Sequence, residues 1–289
     1  MYLLIELGGT TTVIGFSSTL VIDHTTQIAD IHEFPTNTPL DVFNTIKSLC
    51  VNKEIEAISV AAFGPVIIDR KSPDFGLITT TPKTKWRNCS IVDHLRSISS
   101  NIFIDTDVNS AAAAELHGRL SRGISISDLK YITVGTGIGV GSFVSNSPSR
   151  ATEGGHIHVE QFPDDLANGF VGVCPFHRGC VEGMANAEAL ATRANCSVME
   201  LPQLDDDNLC FEAFAHYLAH LCVSITLLSR PDTIVLSGGV FKRQSLHNKV
   251  CSKFDSIINE YIDVKGSEVL EKPVFDRSGL VGALAIITI

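Results

Sequence analysis

Short apolar runs rich in β-branched residues alternate with longer segments of helical periodicity along the chain. Such alternation is typical of α/β folds, in which strands and helices follow one another. The apolar runs predict strands at 2–6, 12–16, 56–62, 102–104, 131–134, 140–144 and 233–236. The helical periodicity predicts helices over the alanine-rich segment from Asn109 and over 210–228, 245–262 and 279–287.

Three glycine-rich turns follow predicted strands. They are Gly8-Gly9-Thr10, residues 135–139, and Gly238-Gly239. Glycine leaves backbone N–H groups open to phosphate oxygens, so the three turns are candidate phosphate and nucleoside sites, with tight hairpins as the alternative. The segments IELGGTTTVIGF and ITVGTGIGVGSF are weakly similar. They suggest two duplicated domains, although unrelated hairpins remain an alternative.

Composition and charge narrow the classes of function. The chain has 289 residues and a formal net charge of −10, which disfavours nucleic acid as a partner. Its amino terminus carries no basic segment, and no apolar stretch is expected to reach the ~20 residues that span a bilayer. We therefore expect a cytoplasmic protein without a membrane partner. Six of the eight cysteines are expected to be buried thiols: Cys50, Cys89, Cys196, Cys210, Cys222 and Cys251.

An acidic cluster, Asp105, Asp107 and Asn109, follows a predicted strand and precedes a helix. Carboxylates at a strand end can face a ligand, and phosphoryl transfer needs a base near the attacking hydroxyl. Either aspartate could be that base, or one of them could only cap the helix.

The segment from Glu153 to Glu182 carries a candidate metal site. Cys174, His177 and Cys180 are spaced three apart, and His156 and His158 lie upstream. This spacing offers three zinc ligands from one loop, and a distant fourth ligand would complete a tetrahedral site. Two core thiols beside a surface histidine are the alternative. Glu153 and Glu182 flank the segment and could accept hydrogen bonds from sugar hydroxyls.

An ordered set of motifs resembles the ROK family of sugar kinases, most closely its fructokinase branch. The motifs are IELGGT, FGP, SPDFGLITTTPKTKW, FIDTDVNSAAAAE, YITVGTGIGVG, EGGHI, CPFHRGCVEG and LSGGV, and they cover nearly the whole chain. The resemblance implies a two-domain actin-like (ribonuclease H-like) α/β fold with a central ATP and sugar cleft. It implies a smaller domain of residues 1–107 plus a carboxyl-terminal helix at about 276–289, and a larger domain of residues 108–275 that carries the zinc site.

The resemblance also implies a reaction: transfer of the γ-phosphate of Mg-ATP to the 6-hydroxyl of D-fructose, with Asp107 as the general base. The implied cofactors are ATP, Mg²⁺ and Zn²⁺, and the implied assembly is a homodimer. Sugar-binding residues would be Thr106, Asp107, Glu153, His156 and Glu182. ATP-binding residues would be Gly8, Gly9, Thr10, Thr11, Thr133, Gly135, Thr136, Gly137, Gly238 and Gly239. Zinc ligands would be His156, Cys174, His177 and Cys180.

Several positions depart from the family pattern. Thr11 stands where lysine is usual, Lys85 stands where glycine is usual, and the loop of residues 145–152 is a few residues short. Because this loop precedes Glu153, a kinase of glucose, mannose or an N-acetylhexosamine remains an alternative. A non-catalytic sugar sensor and a mainly structural zinc module are further alternatives. The chain starts directly at its first strand, so DNA binding is not expected.

Overall fold

A computed structural model of the protein describes residues 1–145, 147 and 149–288. The chain forms two compact units. The first unit comprises residues 1–129, 141–152 and 274–289, and the second comprises residues 130–140 and 153–273. The domain boundary expected after residue 107 stays a prediction; helix Asp107–Ser121 lies in the first unit.

Strands and helices alternate through both units. The strands are β1 (Tyr2–Leu7), β2 (Thr11–Ser17), β3 (Ala29–Pro35), β4 (Ala57–Ala62), β5 (Leu77–Ile78), β6 (Cys89–Ser90), β7 (Ile102–Thr106), β8 (Asp128–Val134), β9 (Ile138–Val144), β10 (Thr233–Ser237) and β11 (Leu270–Glu271). The α-helices are α1 (Pro39–Leu49), α2 (Ile91–Leu95), α3 (Asp107–Ser121), α4 (Pro163–Asn168), α5 (Val181–Ala185), α6 (Ala187–Arg193), α7 (Leu209–Ser229), α8 (Ser245–Ile258), α9 (Gly266–Val269) and α10 (Ser278–Thr288).

The first unit is built on a five-stranded sheet of order β3-β2-β1-β4-β7. Strands β1, β4 and β7 run parallel, whereas β2 and β3 form an antiparallel extension. Side chains alternate across the sheet: Leu3 and Ile5 pack in a core with α1, while Leu4 packs against Leu280 and Leu284 of α10. Both faces of β1 are therefore buried, which explains its nearly continuous apolar sequence.

The second unit is built on a four-stranded sheet of order β11-β10-β8-β9. Its core includes much of α7. Among the described residues, α7 is long and apolar enough to cross a membrane, so the expectation that no such stretch exists was wrong. Its most apolar window is 67% buried inside the unit. Burial in the core accounts for its apolar composition without a membrane.

Most elements predicted from the pattern are present, with bounds that differ by a few residues. The predicted helix over 245–262 ends earlier, at Ile258, where Asn259 adopts a left-handed conformation. Strand β3 and helix α1 were not predicted. The signal for α1 is present in the sequence as a capping box, because Thr38 and Asp41 cap each other's backbone N–H groups.

A fully buried carboxylate joins α3 to the carboxyl-terminal segment of the first unit. Glu115 accepts hydrogen bonds from the backbone N–H groups of Val274 and Phe275 and from the Ser278 hydroxyl. It also pairs with Arg119, whose Nη1 lies 2.6 Å from Oε2. Glu115 is 0% exposed and Arg119 is 2% exposed, so the pair depends on these partners for compensation.

Glu115→Ala is expected to lower the free energy of unfolding by about 3–5 kcal/mol, because it breaks a buried ion pair with Arg119 and removes the acceptor of the Val274 and Phe275 N–H groups. Urea denaturation would measure this. Arg96→Ala is the control, since it removes an ion pair with Asp93 between two exposed side chains; its effect should stay below about 1 kcal/mol. Equal effects of the two substitutions would contradict the role given to Glu115.

Candidate active site

The acidic cluster lies where β7 ends and α3 begins, in the first unit. The N-cap of α3 is Thr106, whose Oγ1 accepts a hydrogen bond from Asn109 N at 3.1 Å, so neither aspartate is the cap. Asp105 is buried, and its Oδ1 accepts from Thr106 N at 2.7 Å and from Asn109 Nδ2 at 2.9 Å. Burial raises the pKa of Asp105, and these hydrogen bonds oppose the rise. Asp107 is partly exposed and opens the helix.

Asn109 fixes the segment that follows β9. Its Nδ2 also donates to the Arg150 carbonyl at 3.1 Å, and its Oδ1 accepts from Ser142 N at 3.0 Å. A Cβ at Gly141 would lie 2.1 Å from the Val108 carbonyl oxygen, so only glycine permits this approach. The sequence predicted that Asn109 lies near the start of the helix, but it did not predict these hydrogen bonds to Arg150 and Ser142. In the loop predicted to be short, Asn146 and Pro148 lie outside the described residues.

The first glycine turn joins β1 to β2. Gly8 N donates to the Thr11 carbonyl at 3.1 Å, while Gly9 and Thr10 are exposed. Thr36 braces the turn, because its Oγ1 donates to the Gly8 carbonyl at 2.8 Å and its N donates to the Thr10 carbonyl at 2.9 Å. Thr36 is buried, with 5% of its surface exposed. Its contact with the turn was not predicted from the sequence, because the pairing of β2 with β3 brings it there.

The second glycine turn joins β8 to β9 and is held from the α5–α6 region of the second unit. Gly135 N donates to the Gly137 carbonyl at 2.9 Å and closes the turn. Ile138 N donates to Oε2 of Glu182 at 2.9 Å. Asn186 Nδ2 donates to the Thr136 carbonyl at 3.0 Å. The turn is therefore fixed by side chains nearly fifty residues away in sequence.

The third glycine pair follows β10, the neighbour of β8 in the sheet. Gly238 has a φ of +102°, and a Cβ there would lie 2.3 Å from the Val134 carbonyl oxygen. Glycine is thus required at this position. Gly239 is exposed, and a Cβ there would meet nothing within 4 Å. The structure brings the second and third glycine turns together at one edge of the same sheet, with Thr133 on β8 beside them.

Four predicted metal ligands converge in the second unit. The ligand atoms of His156, Cys174, His177 and Cys180 all lie within 4.8 Å of one another. The two histidine Nδ1 atoms are 3.3 Å apart, and His156 Nδ1 lies 3.8 Å from Cys174 Sγ and 3.5 Å from Cys180 Sγ. Zinc bonds of about 2.0–2.1 Å to nitrogen and about 2.3 Å to sulfur, at tetrahedral angles, place two nitrogens roughly 3.3 Å apart and nitrogen and sulfur roughly 3.6 Å apart. The donor set therefore fits tetrahedral zinc; His158 is not one of the four.

A tight loop presents three of these ligands. Arg178 has a φ of +50°, and its N donates to the Cys174 carbonyl at 3.0 Å, which returns the chain toward Cys180. Cys180 is the N-cap of α5, where its Sγ accepts from Gly183 N at 3.4 Å. A Cβ at Gly183 would lie 1.8 Å from the Arg178 carbonyl oxygen, so the loop and α5 meet without an intervening side chain.

His156 arrives from a separate segment that lies against β9. It ends the 3₁₀ turn Gly154–His156, and a Cβ at Gly155 would lie 1.9 Å from the Ile138 carbonyl oxygen. His156 Nε2 faces Glu182 Oε1 at 3.8 Å, on the ring edge opposite the metal-facing Nδ1. The pKa of Glu153 is raised mainly by partial removal from water; His156 lowers it and the negative charge of Glu182 raises it. Two carboxyl groups and one imidazole thus lie near one another.

Structural comparison identifies the fold. The fold is shared with the ROK hexokinase from Thermus thermophilus, at a TM-score of 0.73 and 21% identity over 99% of this chain and 97% of that chain. It is also shared with a ROK family glucokinase from Streptomyces griseus, solved with glucose and AMPPNP, at a TM-score of 0.70 and 21% identity over 98% of this chain and 97% of that chain. The predicted actin-like (ribonuclease H-like) α/β fold is confirmed.

Sequence comparison then identifies the family. Residues 2–288 match the ROK family, and the chain belongs to it. A fructokinase from Streptococcus mutans is 34% identical over 297 residues, covering 99% of this chain and 97% of that protein.

Gly155→Ala is expected to lower the free energy of unfolding by about 1–3 kcal/mol, because the added methyl group forces His156 and β9 apart. Thermal unfolding of the ligand-free protein would measure this. Gly239→Ala is the matched control, since its φ of −60° and ψ of −33° suit alanine and the Cβ meets nothing; its stability should stay level or rise by up to about 1 kcal/mol. A Gly155→Ala protein as stable as this control would contradict the close packing.

Proposed function

We propose that the protein transfers the γ-phosphate of ATP to the 6-hydroxyl of D-fructose, with Asp107 as the general base. The observation that carries the proposal is the difference in burial between the two aspartates of the acidic cluster. Asp105 is buried and accepts from Asn109 Nδ2, whereas Asp107 is partly exposed at the first position of α3, where its Oδ1 accepts from Val108 N at 2.9 Å. The relation to fructokinases over nearly the full chain supports fructose as the acceptor.

In this mechanism Asp107 accepts the proton of the attacking sugar hydroxyl. Loss of this proton makes the hydroxyl oxygen more nucleophilic as the phosphoryl group is transferred. Thr106 lies beside the base and is proposed to contact the sugar. Asp105 and Asn109 orient the base by holding the first turn of α3. Since little covalent chemistry is required of the protein, positioning supplies most of the remaining catalysis.

The glycine turns are proposed to bind the nucleotide through backbone N–H groups and threonine hydroxyls. The proposed residues are Gly8, Gly9, Thr10, Thr11, Thr133, Gly135, Thr136, Gly137, Gly238 and Gly239. Mg²⁺ bound with ATP neutralises charge on the phosphates. Glu153, His156 and Glu182 are proposed to contact sugar hydroxyls, for which a carboxylate and an imidazole are suitable hydrogen-bonding groups.

Zinc is proposed at His156, Cys174, His177 and Cys180, where the interatomic distances suit a closed four-coordinate structural site. When bound, zinc would cross-link the loop of residues 174–180 to the Gly154–His156 turn. His156 is proposed to serve both the metal and the sugar pocket, because its Nδ1 and Nε2 face different partners. A homodimer remains a prediction from the family resemblance, and a cytoplasmic location remains a prediction from the sequence composition.

Asp107→Asn is expected to lower kcat by about 10²–10⁴-fold, because the amide cannot accept the hydroxyl proton. ATP binding, measured by calorimetry, and the unfolding temperature should change little. Asp93→Asn is the control, since it changes an acidic residue in the first turn of another helix of the same unit. Fructose, glucose, mannose and an N-acetylhexosamine should be compared in the same coupled assay. Turnover of Asp107→Asn at the wild-type rate would sink the assignment of the base.

Cys174→Ser is expected to lower the zinc content of the purified protein and its unfolding temperature, because a structural zinc site contributes directly to folding free energy. Metal analysis and thermal unfolding would measure the two effects. Cys196→Ser is the control, as Cys196 is a partly exposed thiol outside the cluster. Unchanged zinc content in Cys174→Ser would exclude this residue as a ligand.

A further inference from the structure

We propose that Asn186 is a positioning residue for the nucleotide, acting through the turn of residues 135–139. The inference rests on the proposed function, in which this turn receives the phosphates of ATP. Asn186 follows α5 directly and is 5% exposed, so its nearly buried side chain contacts the turn from the side on which α5 and α6 lie. None of the sequence motifs assigned it a role.

Both ends of the Asn186 amide group are in use. Its Oδ1 accepts from Ala189 N at 2.8 Å and caps α6. Its Nδ2 donates to the Thr136 carbonyl at 3.0 Å. The first bond is the ordinary function of an N-cap residue and needs only an acceptor. The second needs a donor, which an aspartate carboxylate lacks. A serine hydroxyl can donate, but its one short-reaching oxygen cannot occupy the positions of both Oδ1 and Nδ2 of Asn186.

The second bond orients the turn. In a trans planar peptide unit the C=O and the following N–H point in opposite directions. Because Asn186 holds the Thr136 carbonyl, the Gly137 N–H of the same peptide unit points away from Asn186. Ala187 N likewise donates to the Gly135 carbonyl at 2.9 Å, which turns the Thr136 N–H away from α6. Two adjacent N–H groups are therefore presented on the face of the turn opposite the helices, as an anion requires.

Glu182 supplies a complementary restraint one helical turn earlier. Its Oε2 accepts from Ile138 N, whereas Asn186 donates to the Thr136 carbonyl. Glu182 and Asn186 are four residues apart, so they lie on the same side of this short helical segment. The two side chains together hold the turn at an N–H and at a carbonyl. Loss of the Asn186 bond removes the direct restraint on the Thr136 carbonyl and so on the orientation of the Thr136–Gly137 peptide plane.

The chain offers a matched control at Asn208. Its Oδ1 accepts from Cys210 N at 3.0 Å, so Asn208 caps α7 as Asn186 caps α6. It lies in the same unit, and its Oδ1 bond stays within the start of its own helix. The same substitution at the two positions therefore separates loss of the turn restraint from any effect on helix capping.

The experiment compares Asn186→Ser and Asn186→Asp with Asn208→Ser and Asn208→Asp in the full chain. We expect KM for ATP to rise by roughly three- to tenfold in both Asn186 variants, since one hydrogen bond is lost. KM for fructose and the unfolding temperature should match those of the Asn208 variants. Agreement between serine and aspartate would show that the added charge is not the cause.

Three results would overturn the proposal. The first is a KM for ATP within twofold of that of the Asn208 variants, and the second is an equal rise in KM for ATP and KM for fructose. The third is a loss of activity that is fully explained by a lower unfolding temperature. Calorimetric titration with the non-hydrolysable analogue AMPPNP keeps the test independent of the reaction. If the wild-type protein does not phosphorylate fructose but binds AMPPNP more tightly than the Asn186 variants, the proposed function fails and the positioning role stands. If the wild-type protein does not bind AMPPNP, the positioning role fails.

Discussion

The approach of Gly155 to the Ile138 carbonyl, with no room for a Cβ, is the constraint on which the site of the second unit depends. This contact packs the Gly154–His156 turn directly against β9 and so fixes the position of the His156 backbone. The other three ligands come from a loop that meets α5 equally closely at Gly183. Interiors are too densely packed for a side chain to be added at either contact without moving the backbone. Two glycines thus permit the close packing of the two segments that carry the proposed metal ligands.

Helix α5 connects the metal cluster to the second glycine turn over very few residues. Its N-cap, Cys180, is a proposed ligand, its first turn carries Glu182, and Asn186 follows its last residue. Glu182 faces His156 with one carboxylate oxygen and accepts from Ile138 N with the other. A short rigid element therefore carries groups directed toward both features.

Features encoded by short-range spacing could be predicted from the sequence, and features formed by tertiary contacts could not. The ligand set and the glycine turns are compact motifs whose chemistry depends on neighbouring residues, and the structure brings the four ligands together. The roles of Asn186 and Thr36 depend on contacts with turns many residues away. Strand β3 was missed because its residues are mostly exposed and lack an apolar run. Which aspartate is buried could not be predicted either, because both precede the same helix.

The two strand–turn–strand segments are similar in sequence, but their supports differ, and the difference has a physical consequence. In the first unit Thr36 supports the turn from the adjoining strand connection, because its hydroxyl donates to the Gly8 carbonyl and its backbone N–H donates to the Thr10 carbonyl. In the second unit the supports are the side chains of Glu182 and Asn186 and the backbone of α6. The first turn is thus held by one residue from a strand connection, whereas the second is held by two side chains from a helical segment that also carries a proposed metal ligand. Supports at both an N–H and a carbonyl suit the second turn to the proposed binding of phosphate, because a turn ordered before binding loses less conformational entropy when the ligand arrives.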